Sequence, residues 1–134
     1  MAASCQRLDK NVEPAAKLEN TRWMLVQVED IPVATSSYSE SARSYLEFTP
    51  ESKKTTGRAP CNAFSGTYTL GSTQGALTIG GQASTKATCP AQNLEDRYLN
   101  ALPQTVRYEI SGDELRLYGP DNSLRPKLVF SKTR

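Results

Sequence analysis

Short apolar clusters alternate along the chain with polar, turn-forming stretches, and most clusters repeat with the two-residue period of a strand. Residues 22–29, RWMLVQVE, combine aromatic, β-branched and aliphatic side chains and predict a first strand. Pro32 and the serine-rich ATSSYSESAR after it predict a loop. In 44–49, SYLEFT, Leu46 and Phe48 point one way and Tyr45 and Glu47 the other, the pattern of a strand with one wet face. A short strand is expected over 54–58, weakened or bulged by Gly57, and a stronger one over 66–70, GTYTL. The turn GSTQG leads into 76–79, ALTI, which makes a hairpin ended by Gly80-Gly81, and a polar strand follows over 83–87. Strands over 106–110, 114–118 and 127–131 complete the set, the first two joined by the tight turn Ser111-Gly112-Asp113.

One segment has a helical period instead. Leu94, Tyr98, Ala101 and Leu102 fall at i, i+4, i+7 and i+8 and share a face. Asn93 is placed to cap the first turn, with a start as early as Pro90; Glu95 and Asp96 suit the positive end of the helix dipole, and Pro103 ends the helix. About eight short strands and one helix, with no βαβ rhythm, predict a mainly β (β-rich α+β) fold. The expected form is an antiparallel, incomplete β-barrel with the helix packed against it. The chain of 134 residues is long enough for one domain with a sizeable core. That domain is expected over 18–134, behind a flexible polar tether of residues 1–17.

Composition narrows the chemistry. The 16 basic and 14 acidic residues nearly cancel, and the best basic cluster, Lys53, Lys54 and Arg58, is too small to make a nucleic acid an expected partner. No apolar run approaches the roughly 20 residues of a membrane helix. Histidine is absent, which removes Ser-His-Asp and Cys-His catalysis and histidine-based zinc sites, and three cysteines cannot supply four thiolates. No metal or cofactor is expected. The carboxylate pairs Glu29-Asp30, Glu95-Asp96 and Asp113-Glu114 are adjacent in sequence, so their members point apart on a strand or a helix. Ser84 and Lys86 share one face of a strand, the geometry of a minimal Ser–Lys dyad, but no oxyanion hole accompanies them in the pattern. The expectation is a protein without enzymatic activity.

The three cysteines speak to compartment. Cys61 and Cys89 belong to no CxxC pair. In a reducing cytosol they would be two buried thiols; in an oxidising compartment they would pair. Their polar, turn-like surroundings, Ala59-Pro60-Cys61-Asn62 and Thr88-Cys89-Pro90, favour the disulfide, and closing such a loop contributes about 3–4 kcal/mol. Cys5 is then the odd one. Ala2-Ala3-Ser4-Cys5 resembles the end of a bacterial lipoprotein signal, in which the cysteine carries the lipid, although Ala2 stands where such signals prefer leucine. The alternative is an accidental tail thiol. A lipid on Cys5 would be the chain's one membrane contact and would place it on the periplasmic side of the envelope.

Together these segments resemble the META domain, the family of heat-inducible HslJ-like proteins, over residues 18–130. The opening Leu18-Glu19-Asn20-Thr21-Arg22-Trp23 is similar to an L-x-x-T-x-W start, and Tyr45-Leu46-Glu47-Phe48 to the second family strand. The most specific segment is Cys61-Asn62-Ala63-Phe64-Ser65-Gly66-Thr67-Tyr68, similar to C-N-x-F-x-G-x-Y. Leu77-Thr78-Ile79-Gly80 and Ser84-Thr85-Lys86-Ala87-Thr88-Cys89-Pro90 follow, and Glu95, Tyr98 and Leu102 fall where the family helix carries E, Y and L. Pro60 departs from the glycine common before the first cysteine. The resemblance implies a lipocalin-like incomplete barrel and export to the envelope, often as a lipoprotein, and it carries over no catalytic residue.

Two readings of 62–68 follow. In the structural one, Asn62 bonds loop backbone, Phe64 packs, Gly66 permits a bend and Tyr68 enters the core. In the functional one, Asn62, Phe64 and Ser65, with Thr85, form a recognition loop whose exposed anchor is Phe64. Two functions stand against each other in the same way. One is a monomeric envelope lipoprotein that binds or supports another envelope protein under stress. The other is a small carrier enclosing a lipid or other apolar molecule in a cavity lined by Trp23, Leu46, Phe48 and Leu117.

Overall fold

The alternation in the sequence becomes alternation across one antiparallel sheet. The computed structural model describes residues 17–33, 44–121 and 124–132. Cys5, the rest of the expected tether before Lys17, and the serine-rich stretch 34–43 lie outside the described residues. The strands are β1 (Trp23–Val28), β2 (Ile31–Pro32), β3 (Tyr45–Thr49), β4 (Lys54–Arg58), β5 (Ala63–Leu70), β6 (Leu77–Ile79), β7 (Ala83–Ser84), β8 (Arg107–Ser111), β9 (Glu114–Tyr118) and β10 (Leu128–Lys132). Helix α1 (Gln92–Ala101) runs into a 3₁₀ turn (Leu102–Gln104).

The strand order is β6-β5-β4-β3-β1-β10-β9-β8, with β2 paired to β1 and β7 to β5. The ends of this path approach each other at a bridge between Ala76 and Arg107. There Leu77 N–H donates to Val106 C=O at 3.2 Å and Tyr108 N–H to Gly75 C=O at 2.8 Å. The remainder of that seam is unsealed, so the sheet is a nearly closed eight-stranded barrel. The expected architecture is present.

The longer strands turn most of their apolar side chains inward. Leu46 and Phe48 of β3, Leu115 and Leu117 of β9, and Leu128 and Phe130 of β10 are all buried, while their strand neighbours other than the buried Tyr118 are partly exposed. Gly57 does not bulge β4: its register runs unbroken against both β3 and β5. Glycine is needed there because a Cβ would collide with the Tyr45 carbonyl oxygen and the Phe64 ring. The polar strand expected over 83–87 shrinks to Ala83–Ser84. The helix buries Tyr98 and Ala101, with Leu94 packed at the edge of the core, as its period predicts. Asn93 is not its cap; Ala91 precedes the helix and makes no side-chain bond. Pro103 does not end the chain's helical path at once, since it fits the start of the 3₁₀ turn.

One core cluster fills the barrel. Trp23, Leu46 and Leu117 are 0% exposed and Phe48 1%. A ligand cavity among these four would leave its lining open to water, and they are instead packed against one another and the helix. Trp23 also donates Nε1–H to the Leu18 carbonyl at 3.0 Å, which pins the chain entry across the core.

Candidate functional site at the disulfide corner

Cys61 and Cys89 are joined, with their Cα atoms 5.5 Å apart. The bridge ties the entry of β5 to the entry of α1. The turn through Pro60 is closed by Ala59 N–H donating to Asn62 C=O at 2.8 Å.

Glu95 sits beneath the bridge, 2% exposed. Its Oε1 accepts Cys61 N–H at 2.6 Å and Asn62 N–H at 2.9 Å, and its Oε2 accepts Asn62 Nδ2–H at 2.6 Å. Charge-assisted bonds of this kind are short and strong. Sequence reasoning placed Glu95 at the helix dipole and missed this role. A signal was present: Glu95, Tyr98 and Leu102 lie at i, i+3 and i+7, on the apolar side of the helix.

Asn62, 3% exposed, uses its whole carboxamide. Its Oδ1 accepts Thr85 Oγ1–H at 2.7 Å and Ala87 N–H at 2.8 Å; its Nδ2 donates to Ala87 C=O at 2.8 Å as well as to Glu95. The structure therefore brings Asn62 and Thr85 together and leaves the other two loop residues apart. Phe64 is not an exposed anchor: it is 4% exposed, over Gly57, with its ring edge-on to Tyr98 at 5.5 Å. Ser65 lies on the exposed face of β5. Tyr68 enters the core with its ring edge-on to Phe48 at 5.0 Å, and its hydroxyl donates to Glu19. Burial first, then Glu19, pushes the Tyr68 hydroxyl pKa well up. Tyr98, wholly buried, is pushed up by desolvation, and its hydroxyl donates to the Tyr45 carbonyl at 3.0 Å.

The carboxylate pairs are split. Glu95 is buried, whereas Asp96 is exposed and accepts from Gln92 Nε2 at 2.9 Å. Glu29 pairs with Arg97 at 2.8 Å and Glu114 with Arg116. Ser84 and Lys86 make no hydrogen bond with each other. Among the described residues no group of three or more His, Cys, Asp and Glu is placed to hold a metal ion, and no helix is long and apolar enough to cross a membrane.

Between segment 82–88 and the outer side of α1 lies a groove of about 530 Å³, floored by Asn62 and Glu95. Its walls are mostly hydroxyls and amides, among them Ser84, Thr85, Thr88, Gln92 and Asn100, with Lys86 on one side and Asp96 on the other. A second surface groove, of about 570 Å³, is lined by the charges of Glu29, Asp30, Asp121, Arg125 and Lys127.

The family profile of the META domain matches residues 16–131. No curated protein matches the chain. The structure is similar to that of a DUF4847 family protein from Bacteroides vulgatus, with a TM-score of 0.60 and 16% identity over 85% of this chain and 93% of that one. It is also similar to the NMR structure of a protein from Burkholderia xenovorans, with a TM-score of 0.64 and 22% identity over 96% and 98% of the two chains. Both likenesses are of fold.

Proposed function

Because the chain belongs to the META domain family, we propose that it is a non-enzymatic binding module of the bacterial envelope, tethered by lipid on Cys5, which engages or supports another envelope protein under stress. The observation that carries this reading is the filled barrel. The four side chains expected to line a carrier's cavity, Trp23, Leu46, Phe48 and Leu117, have at most 1% exposure, so the surface rather than the interior is left for recognition. The Cys61–Cys89 bridge supports an oxidising compartment, where such bonds persist. One carboxylate of each adjacent pair is already engaged: Glu95 with the 61–62 loop, Glu29 with Arg97 and Glu114 with Arg116.

The test is native mass spectrometry of the protein extracted in detergent from bacterial envelopes, expressed from its full-length gene. The expected species carries a lipid mass on Cys5, lacks two hydrogens for one disulfide and retains a bound envelope protein. Cys5→Ser should release the chain from the membrane fraction. An apolar small molecule held in place of a protein, or free thiols at Cys61 and Cys89 after export, would sink the reading.

A further inference from the structure

The groove between segment 82–88 and α1 has hydrogen-bonding capacity that the fold leaves unused. Glu95 lines it, although only 2% exposed, and its Oε2 accepts a single bond, from Asn62 Nδ2–H, where a carboxylate oxygen has room for two. Thr85 has given its hydroxyl hydrogen to Asn62 Oδ1, so its oxygen meets any further partner as an acceptor. Asp96 holds Gln92 Nε2–H on one carboxylate oxygen and nothing on the other among the described residues. Asn62 itself is saturated, with both amide hydrogens and both lone pairs of its oxygen in use. The floor is thus fixed in place, and the disulfide holds the corner around it. What it leaves open is a set of acceptors, which a ligand rich in O–H or N–H donors would satisfy.

Charge narrows the ligand. The carboxylates of Glu95 and Asp96 share the groove with the ammonium of Lys86, so a strongly charged ligand of either sign meets a like charge there. The helix wall narrows it further. Leu99 and Pro103 stand four residues apart, as do Asp96 and Asn100, and all four line the groove, so an apolar strip runs beside a carboxylate and an amide. Across from them Ser84 and Thr88 add hydroxyls with no other bond among the described residues. A pyranose ring has the matching surfaces, a C–H face and a rim of hydroxyls. Its face lies on Leu99 and Pro103, while its hydroxyls donate to Glu95, Asp96 and Thr85 and accept from Asn100 and Lys86. We propose that this groove binds an uncharged saccharide, either a free sugar or the end of a glycan chain. Its volume of about 530 Å³ lies within the roughly 300–1,000 Å³ of small-molecule sites. The site goes beyond the protein-binding reading and does not depend on it.

The probes are maltose, cellobiose and chitobiose, titrated into the isotope-labelled full chain with its disulfide intact and followed by NMR. At least one should shift the amides of 82–88 and 92–100 saturably, with a Kd of about 1 mM or tighter, as a few net hydrogen bonds allow. Asp96→Ala and Asn100→Ala each remove an exposed side chain and should each weaken binding about tenfold. Asp30→Ala, in the second groove, should leave binding unchanged. If one of the two helix variants fails to fold, the other and the map of shifted amides decide. The tetrasaccharide of the binding series separates the two sources: tighter binding than the disaccharide assigns the groove to a glycan chain, equal binding to a free sugar. The proposal is overturned if none of the three sugars gives a saturable shift, or if the shifts map elsewhere on the barrel. It is overturned equally if both helix variants bind as the unaltered chain does, or if putrescine binds there and the sugars do not. The protein-binding reading is decided separately, by the species extracted from the envelope.

Discussion

At the scale of the residue, Glu95 keeps a carboxylate at 2% exposure with three N–H donors and no cation bonded to it among the described residues. Its position in the first turn of α1 adds the positive end of the helix dipole. Glu95→Gln turns one acceptor into an NH₂ group that must face donors. The expected loss is about 2–3 kcal/mol, read as a lower urea midpoint at unchanged slope; an unchanged midpoint would show that the network does not stabilise the fold. Tyr98 gives a pH dependence. Its folded-state pKa is raised above the ordinary value of 10.0, so the neutral form is the one the fold prefers. Its contribution is fully present below that value and is lost as pH rises through the folded pKa. Thermal stability should therefore fall above about pH 10, and Tyr98→Phe should flatten the fall while costing about 1 kcal/mol at neutral pH for the bond to the Tyr45 carbonyl. Melting temperatures from pH 8 upward, alongside tyrosinate absorbance, measure both. Glu95 was misplaced from sequence because a charged residue reads as surface until its donors are known, and two of those donors are main-chain amides 33 and 34 residues away.

At the scale of the element, the strands most legible in the sequence were those in which every second side chain enters one shared core. β3 and β9 lie where alternation puts them, within a residue. The strand expected over 83–87 stops at Ser84, because polar composition does not show that a side-chain amide replaces the ladder at Ala87. The helix starts at Gln92, inside the range open from Pro90, but Asn93 is not its cap, for a related reason. Cys89 C=O already accepts Gln92 N–H, and Ala91 C=O accepts from Leu94 and Glu95, so the first turn needs no side-chain cap. Pairing of Cys61 with Cys89 closes a loop of 28 residues between β5 and this turn. Replacing both with serine should cost about 3–4 kcal/mol in denaturant unfolding. The loss should be concentrated in α1 and 82–90, where amide exchange should rise more than in β9 and β10. Equal acceleration everywhere would mean that the bridge acts on the barrel as a whole.

At the scale of the molecule, the barrel class was legible but the state of its interior was not. Trp23, Leu46, Phe48 and Leu117 are apolar whether they line a cavity or fill one, and only packing distinguishes the two. The filled core predicts that an environment-sensitive apolar dye such as N-phenylnaphthylamine shows no saturable fluorescence increase with the native protein. Saturation at one dye per chain would reopen the carrier reading. Strand order has one more effect, on timing. β1 lies between β3 and β10, so the first strand of the domain has a free flank until residues 128–132 are made and arrive beside it. Until then Leu25, Leu115 and Leu117 lack the Leu128 and Phe130 that cover them, and the nascent chain has no complete core to collapse into. Such a chain stays threadable until β10 is made, and only then can the barrel close.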